Sequence, residues 1–65
     1  MYTIESLMKT FKINDTVKIT FINPPKVIYG TVKGYGEDIS LNVDRIPNGL
    51  GWIPVNNPNV NVITI

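Results

Sequence analysis

Two stretches of the chain alternate strictly between apolar and polar residues. Val17, Ile19 and Phe21 are separated by Lys18 and Thr20, and the same alternation runs through residues 39–45. Successive side chains of a β-strand point to opposite faces, so each stretch predicts a strand with one buried face. With the shorter β-branched runs we expect five strands, at residues 16–22, 26–35, 39–45, 52–55 and 60–65.

Turn-forming residues separate the predicted strands. Asn23-Pro24-Pro25 ends the first strand, because proline lacks a backbone N–H and restricts the residue before it. Residues 46–51 are predicted to be a loop, in which Asn48-Gly49 favours a hairpin turn. Gly30 lies within the second strand, where a glycine usually marks a bulge or bend.

Alternation also predicts which side chains of these strands face the interior. In the second strand Ile28, Val32 and Gly34 are expected inside, which places Tyr29 and Tyr35 outside. In the third strand the side chains expected inside are those of Ile39, Leu41 and Val43, and those expected outside are Ser40, Asn42 and Asp44.

The N-terminal segment has the periodicity of a helix instead. Ile4, Leu7, Met8 and Phe11 recur at helical spacing, which predicts a helix over residues 3–11. Thr3 is the expected N-cap, but a serine stands where the glutamate of a capping box would be, so no capping box is expected. A helix this short needs a packing partner. It either covers one open end of a β-barrel or contacts another subunit or partner.

Length and composition limit the class of protein. Sixty-five residues form one domain, residues 1–65, with the β-barrel predicted over 15–65. The sequence contains no Cys and no His, which excludes a disulfide framework, a zinc knuckle, a thiol nucleophile and a His base. The net charge is +1 without a basic run. No secretory signal or membrane-spanning stretch is visible, so we expect a cytoplasmic protein that does not act at a membrane.

Three segments resemble parts of SH3-like small β-barrels. Residues 49–57, Gly-Leu-Gly-Trp-Ile-Pro-Val-Asn-Asn, resemble the end of an SH3 domain, and residues 30–35 and 39–44 are similar to the bent strands of Sm-like and KOW-type barrels. The resemblance implies a mainly β fold, a five-stranded SH3-like small barrel with a short N-terminal α-helix. The acidic loop and the N-terminal motif of peptide-binding SH3 domains are missing, as is a good match to the second motif of Sm-like RNA binders.

The residues give no support for catalysis. Four of the five carboxylates are expected at turns or strand ends, and neither Ser6 nor Ser40 has an activating base. The sequence Gly34-Tyr35-Gly36 is not followed by the lysine of a phosphate-binding loop. We therefore expect no enzyme activity, no catalytic residue, no cofactor and no metal site.

Binding is the better supported class of function. Tyr29 and Tyr35 are expected on the surface, and Trp52 is out of phase with Ile53 and Val55, which makes it either a surface residue or a cover for the core. Exposed aromatic side chains are typical anchors of protein interfaces and stacking platforms for bases.

Basic residues allow a second kind of contact. Lys18 and Lys33 are expected on outer strand faces, where with Arg45 and the two tyrosines they would form a small basic-aromatic patch. The simpler alternative is that these charges are merely solvated.

The sequence therefore leads to two hypotheses. The first is a non-catalytic binding module that contacts a protein partner or itself, as a homodimer or ring, through Tyr29, Tyr35 and Trp52. The alternative is nucleic-acid or nucleotide binding, including sequestration of a nucleotide signal, by Lys18, Lys33 and Arg45 with the tyrosines. The richness in Asn and Ile suggests a bacterial, phage or mobile-element source.

Overall fold

One short helix precedes a single antiparallel sheet of five strands. A computed structural model describes all residues, 1–65, with α1 at Ile4–Thr10 and the strands β1 Thr16–Phe21, β2 Lys26–Gly36, β3 Ser40–Ile46, β4 Gly49–Pro54 and β5 Val60–Thr64. The spatial order is β4-β3-β2-β1-β5. The predicted mainly β class with five strands and an N-terminal helix is confirmed. Strands β4 and β5 form the two edges and do not pair with each other, so the sheet is not closed.

The predicted loop at residues 46–51 is wrong. β3 continues to Ile46, and β4 begins at Gly49 with Arg45 paired to it. Gly49 has a φ of 76°, the left-handed conformation that glycine adopts most readily, which lets the chain reverse within two residues. Proline and glycine here make a tight hairpin, whereas in the sequence they resemble a longer loop.

One apolar cluster lies between α1 and the inner face of the sheet. Four of the predicted inward residues, Val17, Ile19, Leu41 and Val43, are fully buried, whereas Phe21 and Ile39 are only partly buried. The predicted outward position of Ser40 is wrong, because its side chain is 3% exposed. The whole cluster comprises ten buried residues: Leu7, Phe11, Val17, Ile19, Val32, Leu41, Val43, Ile53, Val55 and Val62. Burial of this cluster is the main source of stability, since the chain has no disulfide.

A β-bulge interrupts β2 and reverses its alternation. The register with β3 shifts between Val32 and Gly34, so that Lys33 is an extra residue. Beyond the bulge Tyr35 lies opposite the buried Leu41 and packs against the core. The predicted outward position of Tyr35 and inward position of Gly34 are therefore wrong, because an inserted residue moves every following side chain to the other face.

Gly30 allows β2 and β3 to approach closely, and the bulge lies elsewhere. A Cβ at this position would overlap the Val43 side chain and lie 2.8 Å from the Asp44 carbonyl oxygen. Residue 30 is buried and directly opposite Arg45. The glycine is required by contact across the strands rather than by an irregularity of its own strand.

The start of α1 carries a capping box, contrary to the prediction from the sequence. The Ser6 N–H donates to Thr3 Oγ1 at 3.2 Å, and the Thr3 N–H donates to Ser6 Oγ at 2.8 Å. A serine hydroxyl thus accepts the hydrogen bond that a glutamate usually accepts. The predicted absence of the box is wrong.

Only half of the predicted apolar face of α1 is buried. Leu7 and Phe11 enter the core, whereas Ile4 and Met8 are exposed. The helix therefore covers the core with one narrow stripe. No helix of the structure has the length and apolar character needed to cross a bilayer.

Two asparagines near the β4–β5 turn hold distant segments in place. Asn56 Oδ1 accepts from the Tyr2 N–H at 2.7 Å, and its Nδ2 donates to the Tyr2 carbonyl oxygen at 2.9 Å. Asn59 makes the same pair of bonds with the Asn23 backbone, at 2.7 and 3.0 Å. Each amide side chain thus satisfies both backbone groups of one residue, as a neighbouring strand would.

Candidate protein-interaction surface

The face of the sheet opposite the core carries a row of large side chains across four strands. Ile46 of β3 lies opposite Tyr29 of β2, Tyr29 opposite Lys18 of β1, and Lys18 opposite Ile63 of β5. Residues directly opposite in an antiparallel pair project from the same face. Three of the four side chains in this row are apolar or aromatic.

Neighbouring rows add further apolar side chains to this face. Leu50 lies opposite Asp44, Trp52 opposite Asn42, and Val27 opposite a threonine of β1. We define the outer surface as the six exposed apolar residues that β2–β5 place here: Val27, Tyr29, Ile46, Leu50, Trp52 and Ile63. They are half of the large apolar side chains that the structure leaves exposed. Such a concentration of exposed apolar side chains on one face of a small domain is typical of interaction sites.

Trp52 belongs to the outer surface and not to the core. Its side chain is 58% exposed and lies on the face opposite Ile53, as its phase in the strand predicts. The indole lies over Gly36, where an added Cβ would come within 3.0 Å of Trp52 Cζ3. The ring rests on glycine backbone with much of its surface free, so the alternative of a core tryptophan is wrong.

Tyr29 also projects outward, as predicted, and lies in the centre of the row. It is 47% exposed between Ile46 and Lys18. Lys18 is only half-buried, with Tyr29 on one side and Ile63 on the other. This arrangement places one amphipathic aromatic ring beside one cation on an otherwise apolar row.

Tyr35 has a structural role that alternation did not predict. Its hydroxyl donates a hydrogen bond to the Phe11 carbonyl oxygen, and its ring packs against the core cluster. Phe11 is the C-cap residue of α1, so this bond joins the end of the helix to β2. Tyr35 is not part of the outer surface.

The three predicted basic residues do not come together. Lys33 lies at the bulge and its Nζ donates to Asn14 Oδ1 at 3.4 Å. Arg45 is opposite Gly30 and Gly49, in register with the inner face, and its Nε donates to the Gly49 carbonyl oxygen at 3.2 Å. Of the three, only Lys18 lies in the central row of the outer surface, and the predicted basic-aromatic patch does not assemble.

Other features of the molecule lie apart from the outer surface. No group of three or more His, Cys, Asp or Glu side chains is placed to hold a metal ion. A cavity of about 240 Å³ is lined by Phe21, Pro24, Lys26 and Asn59. The Asn59 amide in its wall already bonds the Asn23 backbone.

Sequence reasoning missed four members of the outer surface. Ile63 and Val27 are each out of phase with a buried or half-buried neighbour, and that signal was present in the sequence. Ile46 and Leu50 were assigned to a loop, where alternation is not considered. The short turn between β3 and β4 sets the register that places both residues on the outer surface.

Comparison with known proteins adds no family to this description. The chain matches no protein-family model, no curated protein and no solved structure.

Proposed function

We propose that this protein is a non-catalytic binding module that contacts proteins, either a different partner or a second copy, through its outer surface. The single observation that carries the proposal is the gathering of six exposed apolar side chains on one face of the sheet. A cytoplasmic location and a bacterial, phage or mobile-element source remain predictions from the sequence.

The outer surface favours binding because exposed apolar side chains are unfavourable in water. Burial of apolar area contributes about 25 cal/mol per Å², and large aromatic anchors usually supply most of the energy of an interface. Trp52 and Tyr29 are such anchors, surrounded by the aliphatic side chains of Ile46, Leu50 and Ile63. A partner that covers them therefore gains binding energy from contacts that the fold itself does not use.

We also propose that the architecture is an SH3-like small barrel. Support comes from five short antiparallel strands around one buried cluster, with a bulge in β2 and a close glycine contact at Gly30. Bulges and glycines of this kind are the devices by which a short sheet bends strongly enough to surround a core.

Nucleic acid is the less supported ligand. Binding to phosphates depends on several cations that act together. In its central rows the outer surface presents one cation, Lys18, and one anion, Asp44, opposite a threonine of β2. An apolar face with nearly balanced charge favours a protein partner.

Site-specific photocrosslinking tests the proposal. A benzophenone amino acid in place of Trp52 is compared with the same group in place of Met8, which is 48% exposed on α1. Each purified variant is irradiated alone and in a bacterial lysate. We expect covalent adducts from position 52 in at least about fivefold higher yield than from position 8, because only the first position lies on the contact surface.

The adducts also identify the class of partner. Protease-sensitive adducts at position 52 support the proposal whether the captured protein is a second copy or a different chain. Equal yields from positions 52 and 8 would refute it. Adducts that nuclease removes would replace it with the nucleic-acid alternative.

A further inference from the structure

Strand β5 leaves a regular set of backbone groups without a partner. At one end of β5 the Ile65 N–H donates to the Thr16 carbonyl oxygen at 3.0 Å. Just before its other end the Asn59 carbonyl oxygen accepts from the Ile22 N–H at 3.0 Å. In an antiparallel ladder the residues of a strand face their partner alternately. Residues 59, 61, 63 and 65 therefore direct their backbone groups toward β1, and residues 60, 62 and 64 direct theirs away from the sheet.

The outward groups of β5 are mostly free. The Val60 N–H donates to the Asn57 carbonyl oxygen at 3.0 Å, so only the Val60 carbonyl oxygen is free on the open side. Val62 and Thr64 have both an N–H and a carbonyl on the open side, because β5 pairs only with β1. Five backbone groups in a row thus form an unpaired edge, a ready template for another strand.

The edge of β5 lacks the features that usually protect such strands. Val60–Ile65 contains no charged side chain, no proline, no glycine and no bulge. The other edge is different at its end, because Pro54 has no N–H and its carbonyl oxygen already accepts from the Asn57 N–H at 3.1 Å. Strand addition is therefore more favourable at β5, where no proline interrupts the edge, than at β4.

We propose that β5 of one molecule pairs in antiparallel register with β5 of a second copy, with Val62 on the two-fold axis. In this register the outward-facing Val62 residues exchange two N–H···O=C bonds, and each Thr64 N–H donates to the Val60 carbonyl of the other copy. Four of the five free groups on each edge are then satisfied, and Ile63 lies beside Asn61 of the second copy.

A second copy fits this edge because the pairing is self-complementary. The strand has no charged side chain to repel its counterpart in the second copy, and the net charge of the whole molecule is only +1. The two five-stranded sheets become one continuous sheet across the axis. The interface is narrow, so we expect a weak dimer with a dissociation constant of about 0.1 mM.

Amide hydrogen exchange of the unmodified protein tests the register. The rates for Val62 and Thr64, whose N–H groups face the open edge, are compared at about 0.02 mM and 2 mM with those for Asn61 and Ile63, which face β1. At that dissociation constant mass action predicts that the first pair exchanges about fivefold more slowly at the higher concentration, while the second pair is protected at both. Equal rates for Val62 and Thr64 at the two concentrations would overturn the proposal.

A substitution at the edge provides a second test. Thr64→Pro removes one edge N–H, and proline is tolerated on edge strands where that group faces solvent. Sedimentation equilibrium should show at least about tenfold weaker dimerisation for T64P, whereas the matched control T64A, which keeps the N–H, should remain within about threefold of the parent. Unchanged dimerisation of T64P would contradict the proposed pairing, and if T64P fails to fold the exchange experiment alone decides.

This contact uses backbone groups at one edge of the sheet, whereas the proposed function uses side chains of the outer surface. Each of the two proposals can therefore be refuted while the other still holds. A dimer whose Val62 and Thr64 amides stay unprotected overturns the edge pairing but leaves the outer surface as the contact. If instead these amides are protected at high concentration and position 52 shows no preferential crosslinking, the edge pairing is supported and the outer surface is refuted as the contact.

Discussion

A single inserted residue decides which tyrosine of β2 is exposed and which packs against the core. Lys33 forms the bulge of β2, and beyond it the alternation is reversed. Tyr29, before the bulge, lies on the outer surface, while Tyr35, after it, is half-buried and bonds the Phe11 carbonyl oxygen. Two tyrosines of one strand thus have different environments, since Tyr29 is exposed on the outer surface and Tyr35 packs against the core.

Removal of the Tyr35 hydroxyl should destabilise the fold. We expect Tyr35→Phe to lower the free energy of unfolding by about 1 kcal/mol, because the Phe11 carbonyl loses its donor at the end of α1. Tyr29→Phe is the matched control and should change stability by less than about 0.5 kcal/mol, since that ring lies on the surface. Urea denaturation measures both, and equal effects would contradict the assigned roles.

Gly30 and Gly34 should differ sharply in their tolerance of a methyl group. Gly30→Ala places a Cβ against Val43 and the Asp44 carbonyl, and we expect a loss of about 1–3 kcal/mol in the free energy of unfolding. Gly34→Ala meets only Asn42 Cβ, at 3.8 Å, and should be nearly neutral. Thermal unfolding of the two variants provides the comparison, and a neutral G30A would be inconsistent with the close approach of β2 and β3.

At the scale of elements, side-chain hydrogen bonds hold segments together where no strand pairing connects them. Asn56 and Asn59 flank the turn between β4 and β5, and each bonds both backbone groups of a distant residue. Asn56 holds Tyr2 and with it the start of α1, whose Thr3–Ser6 capping box fixes the first turn. These contacts position a seven-residue helix that would be unstable alone.

Loss of the Asn56 amide should loosen the helix before the sheet. We expect Asn56→Ala to lower the free energy of unfolding by about 1–2 kcal/mol, because two backbone groups of Tyr2 lose their partners. Amide exchange should accelerate in residues 2–7 more than in β1–β3. Asn61→Ala, at an exposed strand position, is the control with no comparable loss. Uniform acceleration across the sheet would argue against a local role.

At the scale of the whole molecule, the inner and outer apolar residues should respond differently to polar substitution. We expect the double substitution Ile46→Thr and Leu50→Thr to leave the free energy of unfolding within about 1 kcal/mol of the parent, because both side chains are exposed. Leu41→Ala, in the core, should cost about 2–5 kcal/mol. Guanidinium denaturation distinguishes the two groups, and a large loss from the outer pair would show that they belong to the core.

Much of the fold was predictable from the sequence, and the exceptions have physical causes. Alternation in residues 16–22 and 39–45 identified the buried Val17, Ile19, Leu41 and Val43, although it placed the buried Ser40 on the outside. The phase of Tyr35 was not predictable, since the bulge at Lys33 depends on pairing with β3 rather than on local sequence. The dispersal of Lys18, Lys33 and Arg45 follows from the same register.

The candidate surface was only partly predictable for a related reason. Tyr29 and Trp52 were identified from their phase, but Ile46 and Leu50 required the two-residue turn before Gly49 to be known. A hydrophobic residue beside Pro-Asn-Gly resembles loop sequence, although here it ends a strand. The extent of an outer face depends on which strands are neighbours in the sheet. A single sequence does not show that strand order.

Cross-strand nuclear Overhauser effects test most directly the register from which the outer surface follows. We predict contacts from Tyr29 to Ile46 and Lys18, from Lys18 to Ile63, and from the Tyr35 ring to Leu41 and Phe11. These would place the apolar row on one face and Tyr35 on the other. Contacts from Tyr35 to the outer side chains, with Tyr29 against Val43 in the core, would mean that the register and the surface built on it are incorrect.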